Sequence, residues 1–415
     1  MDAGLNGDSM EKLKGVRITS LDDDDDDDFE GQENEEEQEP TLEEEEDDDD
    51  DEEEEPVTLG FVEKPKHSWS LLRQLFPSKA GGVPAWLDPV NVPSGRSCAC
   101  DICGNPLQFL LQVYAPISEK ESTFHRTLFL FMCPKMSCLR RYQHEQWKCR
   151  SKNSSRSVKV FRCQLPHLNP FYSSEAPRLD GTDKPSRSGV ALCNWCGTWK
   201  GDQFCSSCKK ARYCSQQHQV VHRKINCQQL SLSSQLPNSS SSSGETTSLE
   251  IIKAASNALW LEYEIINEDE SELHAEMSDD KAYDKPLISK KRTDDSMMSL
   301  VDCFKGDSDR KCWASFQERI AKAPEQVLRY CRNANAKPLW PTSSGRPSKD
   351  DIPNCSYCGS SSDFEFQVLP QLLYYFGVKN DDVDSLDWAT IVVYTCRASC
   401  EASVAYKQEF AWVQL

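Results

Sequence analysis

The chain has 415 residues, of which 38% are hydrophobic and ten are Trp, enough for two or three domains with buried cores. Its net charge of −21 is unevenly distributed, because residues 1–56 carry −26 and the remainder carries +5. The sequence shows neither a signal peptide nor an apolar run long enough to span a membrane, so we expect a soluble intracellular protein. In a reducing compartment, its 20 cysteines indicate metal ligands rather than disulfides.

Residues 1–56 form an acidic segment that includes seven consecutive Asp at 22–28 and thirteen consecutive acidic residues at 43–55. Such blocks repel themselves and bury nothing, which predicts a disordered acidic tail. Two interpretations stay open for it. The tail either keeps the protein soluble or attracts and shields a basic partner such as a ribosomal protein or a histone. Bare nucleic acid would be repelled, so no direct nucleic-acid partner and no membrane partner are expected.

Residues 57–170 form the first globular segment, which we call the first half. Two of its stretches, "LQFLLQVY" at 107–114 and "RTLFLFMC" at 126–133, are rich in aromatic and aliphatic residues and predict β-strands. A C-x2-C-G phrase precedes the first strand, and a second cysteine pair follows the other strand. Two close pairs separated by a hairpin can surround one tetrahedral zinc. The predicted ligands are Cys100, Cys103, Cys133 and Cys138, with Cys98 as an alternative to Cys100.

A compact cluster of cysteines and histidines, the finger, occupies residues 193–227 after a polar linker at 171–192. A segment this short cannot build a core unaided, so metal must supply its folding energy. Four ligand pairs predict two interleaved zincs. The first zinc would be held by Cys193, Cys196, Cys214 and His218, and the second by Cys205, Cys208, His222 and Cys227.

Only three residues separate His218 from His222, so both lie on one helical face, which suits ligands of one metal better than ligands of two. We therefore expect the first finger zinc to be firm and the second to be readily lost. A Ser-rich linker at 228–250 follows. Linkers on both sides predict a finger that is isolated from the body and unfolds first.

Residues 251–415 form the second half, which repeats the C-x2-C-G phrase. The stretches "FEFQVL" at 364–369 and "TIVVYTC" at 390–396 predict strands, and 315–332 predicts a helix with a break at Pro324. Buried free cysteines are the alternative interpretation in each half. The same order of motifs in both copies instead favours a duplicated metal-binding unit. Its predicted ligands in the second half are Cys355, Cys358, Cys396 and Cys400.

The finger resembles the MYND zinc finger, including the "YCS" after its second pair. The body resembles the programmed cell death protein 2 family, through "FPSKAGGVPAWLDP" at 76–89, "CGNPLQFLLQVYAP" at 103–116, "IPNCSYCG" at 352–359 and "LDWATIVVYTC" at 386–396. The resemblance implies a mainly β (α+β) fold. In that fold, two duplicated, zinc-ribbon-like β halves pair and the MYND-type finger is inserted between them.

The resemblance also implies a function in 40S ribosome biogenesis. The family role is that of a dedicated chaperone for one basic small-subunit ribosomal protein, the homologue of bacterial protein S-five, with other proteins bound through the finger. Cytoplasmic and nuclear localisation goes with that role. The alternative is a transcriptional or chromatin adaptor that binds peptides through the MYND finger. We expect no enzyme, because phosphate-loop, dinucleotide, nucleophile-elbow and zincin motifs are absent from the sequence.

Overall fold

The computed structural model describes residues 56–67, 69–148, 155–183, 188–225, 259–273, 307–379 and 384–415. The predicted acidic tail and the Ser-rich linker lie outside these ranges. Over the described residues the chain is mainly β, as predicted. No helix in this part of the chain is long and apolar enough to cross a membrane.

Ten strands form one closed barrel, and two short strands form a separate sheet in the finger. The barrel strands are β1 (Thr58–Glu63), β2 (Lys79–Ala80), β3 (Gln108–Tyr114), β4 (His125–Met132), β5 (Val158–Leu165), β8 (Tyr263–Asp269), β9 (Leu328–Tyr330), β10 (Ser362–Val368), β11 (Thr390–Cys396) and β12 (Tyr406–Gln414). The finger strands are β6 (Gln203–Phe204) and β7 (Arg212–Tyr213). The four predicted strands correspond to β3, β4, β10 and β11.

Helices of the described residues include α1 (Met136–Lys148), α2 (Gln216–Ile225), α3 (Asp307–Ala321) and α4 (Gln371–Tyr375). Short 3-10 turns occur at Arg73–Leu75, Gly95–Cys98, Glu121–Thr123 and Lys349–Asp351.

The strand order around the barrel is β1-β8-β2-β3-β4-β5-β12-β11-β10-β9, and β9 returns to β1. All neighbouring pairs are antiparallel. Each strand of the first half has a counterpart in the second: β1 and β8, β2 and β9, β3 and β10, β4 and β11, and β5 and β12. If every strand is exchanged with its counterpart, the same cyclic order results, read in the opposite direction around the barrel. The two halves are therefore related by a pseudo-twofold axis, and each contributes five strands. This arrangement confirms the predicted internal duplication and pairing of halves.

Local details repeat in the two copies. The β3–β4 register shifts between Phe109 and Leu111, and the β10–β11 register shifts at the equivalent place, between Phe364 and Phe366. One residue after each register shift ends, a buried Gln binds an incoming loop through both the oxygen and the nitrogen of its side-chain amide. Gln112 binds Pro77 O and Ala85 N, each at 2.8 Å. Gln367 binds Leu339 O at 2.9 Å and Leu339 N at 2.7 Å.

One end of the barrel is closed by α1, whose Leu139 and Tyr142 belong to the main apolar core. Strand β12 continues past its last pair with β5, and α1 side chains bind the backbone there. The Tyr142 hydroxyl donates to Ala411 O at 2.8 Å, and the Gln146 amide exchanges two hydrogen bonds with Val413. The helix thus replaces the strand partner that β12 lacks in this region.

The opposite end of the barrel interior is charged. Arg126 lies on the same face of β4 as the core residue Leu128, and Arg162 lies on the same face of β5 as Val160. Both arginine side chains are fully buried, and each is paired with a buried glutamate of the second half. An ionic layer therefore joins the halves at this end.

The prediction of a helix at 315–332 is wrong for the residues after Ala321. Helix α3 starts earlier, ends at Ala321 before Pro324, and is followed by β9 at Leu328–Tyr330. Strand β9 pairs with both β1 and β10, so long-range pairing decides the structure of this stretch. No local pattern in the sequence carries that information.

The segment 171–192, expected to be a linker, is packed at its start. Phe171 and Tyr172 are buried in a core cluster of the first half. The Tyr172 hydroxyl donates to Leu87 O at 2.7 Å. The beginning of this segment is therefore part of the folded body.

Candidate metal centres

The first centre lies where β4 ends and α1 begins. Its ligand atoms come from Cys100, Cys103, Cys133 and Cys138, and all lie within 4.8 Å of one another. The sulfurs of Cys103 and Cys133 are 3.7 Å apart. Gly104 follows the C-x2-C pair with φ +71° and donates to Cys100 O at 2.8 Å, which closes the tight turn.

The second centre repeats this construction at the end of β11. It comprises Cys355, Cys358, Cys396 and Cys400. Sulfur–sulfur distances are 3.6 Å for Cys355–Cys400 and for Cys358–Cys396. Gly359, with φ +76°, donates to Cys355 O at 2.8 Å. Strands β4 and β11 run in opposite directions along the barrel. Because each centre lies at the end of its strand, the two centres lie at opposite ends of the barrel.

The finger centre comprises Cys193, Cys196, Cys214 and His218. Helix α2 carries His218, and its Nδ1 lies 3.2 Å from the sulfur of Cys214 and 3.5 Å from that of Cys193. The sulfurs of Cys196 and Cys214 are 3.8 Å apart. Three of the four ligand sets proposed from sequence are thus brought together.

These distances fit a tetrahedral zinc. Sulfurs bound about 2.3 Å from a central zinc lie about 3.8 Å apart, close to the spacing observed in all three groups. They are too far apart for a disulfide, whose sulfurs are separated by about 2.05 Å. Each group can therefore hold a metal ion with four protein ligands.

Metal binding requires ionised thiols, and the pKa shifts differ among the ligands of these groups. A hydrogen bond from Cys133 lowers the pKa of Cys100 to about 5, despite the opposing effect of burial. Hydrogen bonds from Cys196 and Cys214 likewise lower the pKa of Cys193. The first centre and the finger centre thus each contain one thiol with a lowered pKa, whereas burial raises the pKa of Cys400 in the second centre to about 12.

The second finger site remains a prediction. Cys205 is buried and Cys208 is half-buried, both within the finger. The side chain of His222 and all of Cys227 lie outside the described residues. Cys98, the alternative ligand in the first half, donates instead to Pro93 O at 3.2 Å and stands apart from the four-cysteine group.

The finger is anchored to the barrel, contrary to the isolated position expected from its linkers. Trp199 of the finger is fully buried and stacks obliquely on Phe131 of β4, with ring centroids 4.3 Å apart. Its indole N–H donates to Leu107 O at 2.8 Å. In return, the Trp86 indole of the first half donates to Thr198 O at 2.7 Å. The finger therefore covers the outer face of the first half.

Sequence reasoning missed the charged residues around the second centre. Arg162 and Glu409 contact two of its ligand residues, and Arg162 lies 238 residues from Cys400 in the sequence. No spacing motif includes either residue. The pairing of β12 with β11 places Glu409 beside the metal ligands, and the pairing of β5 with β12 brings Arg162 there.

Comparison with known families gives two matches. Residues 56–179 match the family model "Programmed cell death protein 2, N-terminal domain". Residues 310–415 match "Programmed cell death protein 2, C-terminal putative domain". No solved structure matches the chain.

Individual relatives agree with these matches. Programmed cell death protein 2 of Bos taurus is 36% identical over 367 residues, covering 86% of this chain and 96% of the relative. Programmed cell death protein 2-like of Homo sapiens is 26% identical, covering 83% of this chain and 91% of the relative. A Schizosaccharomyces pombe protein named "Probable 20S rRNA accumulation protein 4" is 31% identical over 121 residues, covering 25% of this chain and 28% of the relative.

Proposed function

Because the chain belongs to the programmed cell death protein 2 family, we propose that it is a zinc-binding protein-interaction protein of ribosome biogenesis. Its client would be a basic protein of the small ribosomal subunit, the homologue of bacterial protein S-five. The observation that carries the proposal is the match to a relative named for 20S rRNA accumulation. Charge and the metal centres support it.

The proposed metal is zinc, held at the first centre, the second centre and the finger centre. Cysteine thiolates with one histidine are the ligands of structural zinc sites. Each centre has four protein ligands and so lacks the open position that catalytic zinc keeps for a substrate. We accordingly propose that the metal ions stabilise the fold and that the protein is not an enzyme.

The distribution of charge suits a basic client. Residues 1–56 carry −26, whereas the rest of the chain carries +5. A polyanionic segment attracts a basic protein over long distances and competes with RNA for it. A ribosomal protein that must reach the assembling subunit through the cytoplasm and nucleus would need such shielding, so we propose both locations for this chain.

The alternative proposal, a transcriptional or chromatin adaptor, rests on the finger. Phe204 is 53% exposed on the finger and lies under the Arg212 guanidinium, 4.2 Å from the ring centroid. Such an exposed aromatic residue is available for peptide contacts. The two proposals require different partners.

Affinity purification of the tagged full chain, followed by mass spectrometry of stoichiometric partners, separates them. We expect one small-subunit ribosomal protein without the rest of the 40S subunit. A set of chromatin regulators would instead favour the adaptor. Phe204→Ala provides the matched control, because it should abolish capture of finger-bound peptides while leaving the ribosomal client bound.

A further inference from the structure

We propose that Arg162 of the first half is an outer-shell positioning residue for the second metal centre, which belongs to the other half. The inference rests on the proposed zinc binding and adds a residue to that site. Arg162 would stabilise the thiolate of Cys400 and fix the loop that carries it. The two duplicated centres would then differ in how firmly they hold metal.

The contacts of Arg162 support this role directly. Its guanidinium donates from Nη1 to Cys400 O at 3.1 Å, and Nη2 lies 3.7 Å from Cys400 Sγ. Its side chain is fully buried. An arginine keeps its charge at any pH a protein tolerates, and its rigid fork can bind two acceptors at once. One residue thus binds both the backbone and the sulfur of a single metal ligand.

Glu409 of β12 holds Arg162 in this orientation. Its Oε1 accepts from Arg162 Nε at 2.5 Å, and its Oε2 accepts from Cys396 N at 3.0 Å. The pair therefore directs its cationic end toward one ligand sulfur and its carboxylate toward the backbone of another ligand residue. Lys407, also buried, is the register partner of Arg162 and adds a second cation to this end of the barrel.

A hydrogen bond from a cation should matter at such a centre. A zinc ion held by four thiolates carries a formal charge of about −2. Three of the four cysteines here are buried, so water offers little compensation for that charge. Outer-shell donors of this kind typically change metal affinity by about 10- to 100-fold.

The surroundings of the first centre are different. The side-chain hydrogen bonds described for its sulfurs join the cysteines to one another, as between Cys103 and Cys133. The duplicated halves thus share their ligands but differ in what surrounds them. That difference provides an internal reference for the experiment.

Other first-half residues also form hydrogen bonds to the loop that precedes Cys400 in the second centre. Lys120 Nζ donates to Ala398 O at 3.0 Å and to Ser399 O at 2.9 Å. The Gln164 amide donates to Ser399 O at 3.2 Å. The second centre therefore joins the two halves at this end, in addition to the four residue pairs between β5 and β12.

Site-resolved metal release tests the inference. The full chain, loaded with zinc, is exposed to a chelator and pulsed with N-ethylmaleimide, and the alkylation of each cysteine is followed by peptide mass spectrometry. Arg162→Met should speed alkylation of Cys396 and Cys400 by about 10- to 100-fold, with little change at the first centre. Arg162→Lys, which keeps the charge without the fork, should give an intermediate rate.

Arg126→Met is the matched control. It also removes a fully buried arginine that pairs with a buried glutamate in the same barrel, but the hydrogen bonds described for Arg126 go to Ala115, Glu365 and Thr395 rather than to a ligand residue. Equal acceleration at both centres in Arg162→Met, or the same selective release in Arg126→Met, would overturn the inference. Release from the second centre that is unchanged in both Arg162 variants would overturn it too. A purified chain without metal would overturn the proposed zinc binding as well.

Discussion

Arg126 of β4 and Glu365 of β10 form a two-pronged ion pair inside the barrel, with nitrogen–oxygen distances of 2.5 and 2.7 Å. Both side chains are fully buried, and they come from different halves. Glu365 lies between Phe364 and Phe366 at the bulge. The equivalent bulge of the first half holds Leu110 instead. The two copies thus differ at this position, where one has an apolar residue and the other a charge.

Removing one member of this ion pair should lower the free energy of unfolding more than replacing both members with apolar residues. Arg126→Met removes the fully buried partner of Glu365 and leaves it the more distant Arg332, 3.9 Å away, so we expect a loss of about 3–5 kcal/mol. The double variant Arg126→Met/Glu365→Leu restores the apolar residue found in the other copy and should cost less than the sum of its single changes. Denaturant unfolding of the four proteins measures the coupling. Strictly additive losses would contradict it.

The same pair predicts an acid dependence. Burial acts to raise the pKa of Glu365, but the charge and hydrogen bonds of Arg126 more than offset it and hold that pKa below its usual range. The carboxylate therefore contributes stability above the ordinary carboxyl pKa, and this contribution is lost as the pH falls toward the folded-state value. The double variant should accordingly lose less stability on acidification than the unmodified protein.

Removing one ligand from either barrel centre should release its metal. Cys103→Ser and Cys358→Ser should each lower the zinc content by one ion and destabilise the body by several kcal/mol, because a structural site contributes folding energy directly. Elemental analysis and thermal melting measure both effects. Cys98→Ser is the control, since that buried cysteine stands apart from the first centre. Unchanged metal and melting temperature in both ligand variants would contradict the assignment.

The number of firmly held metals should be three. The first centre, the second centre and the finger centre each have four ligand atoms within 4.8 Å. We expect any fourth ion, bound through Cys205, Cys208, His222 and Cys227, to be removed by a mild chelator. Native mass spectrometry before and after chelation counts the ions. Four retained zincs would show that the short spacing between His218 and His222 still accommodates two metals.

Trp199 should hold the finger on the barrel. Trp199→Ala removes a fully buried indole, and we expect the docked state to lose about 3–5 kcal/mol. Hydrogen exchange should then rise in the finger and on the outer face of β4, while the barrel interior stays protected. Phe204→Ala, which truncates an aromatic residue that is 53% exposed on the same finger, serves as the control. Equal exchange in the two variants would argue against the anchor.

Deleting residues 1–56 should leave the barrel folded but slow its association with a basic client. The deletion removes −26 of charge, and long-range attraction raises association rates most at low salt. Stopped-flow association with the basic small-subunit ribosomal protein, measured at two salt concentrations, tests this. A variant with the acidic residues of the tail changed to Asn and Gln separates charge from length. An unchanged rate at low salt would make the tail a solubilising segment only.

Local patterns in the sequence predicted the parts of the fold that local chemistry determines. The apolar runs at β3, β4, β10 and β11 predicted strands, and cysteine spacing predicted the three ligand groups that the structure brings together. Closure of the barrel was beyond such reasoning. Strands β1 and β8 are partly exposed and pair across more than 200 residues, so nothing in either strand identifies its partner. The buried ion pairs between the two halves could not be predicted either, because their partners are brought together only by long-range strand pairing.

The pseudo-twofold axis has a consequence for the origin of the fold. Neither half closes a barrel alone, because β1 pairs with strands of the second half and β5 pairs with β12. A single ancestral copy could close the same barrel only as a symmetric homodimer, with one identical metal centre at each end. Fusion of two such copies would remove the need for both to stay alike. The two copies differ in three features. The finger packs on one half only, α1 closes one end of the barrel, and the charged layer occupies the other end.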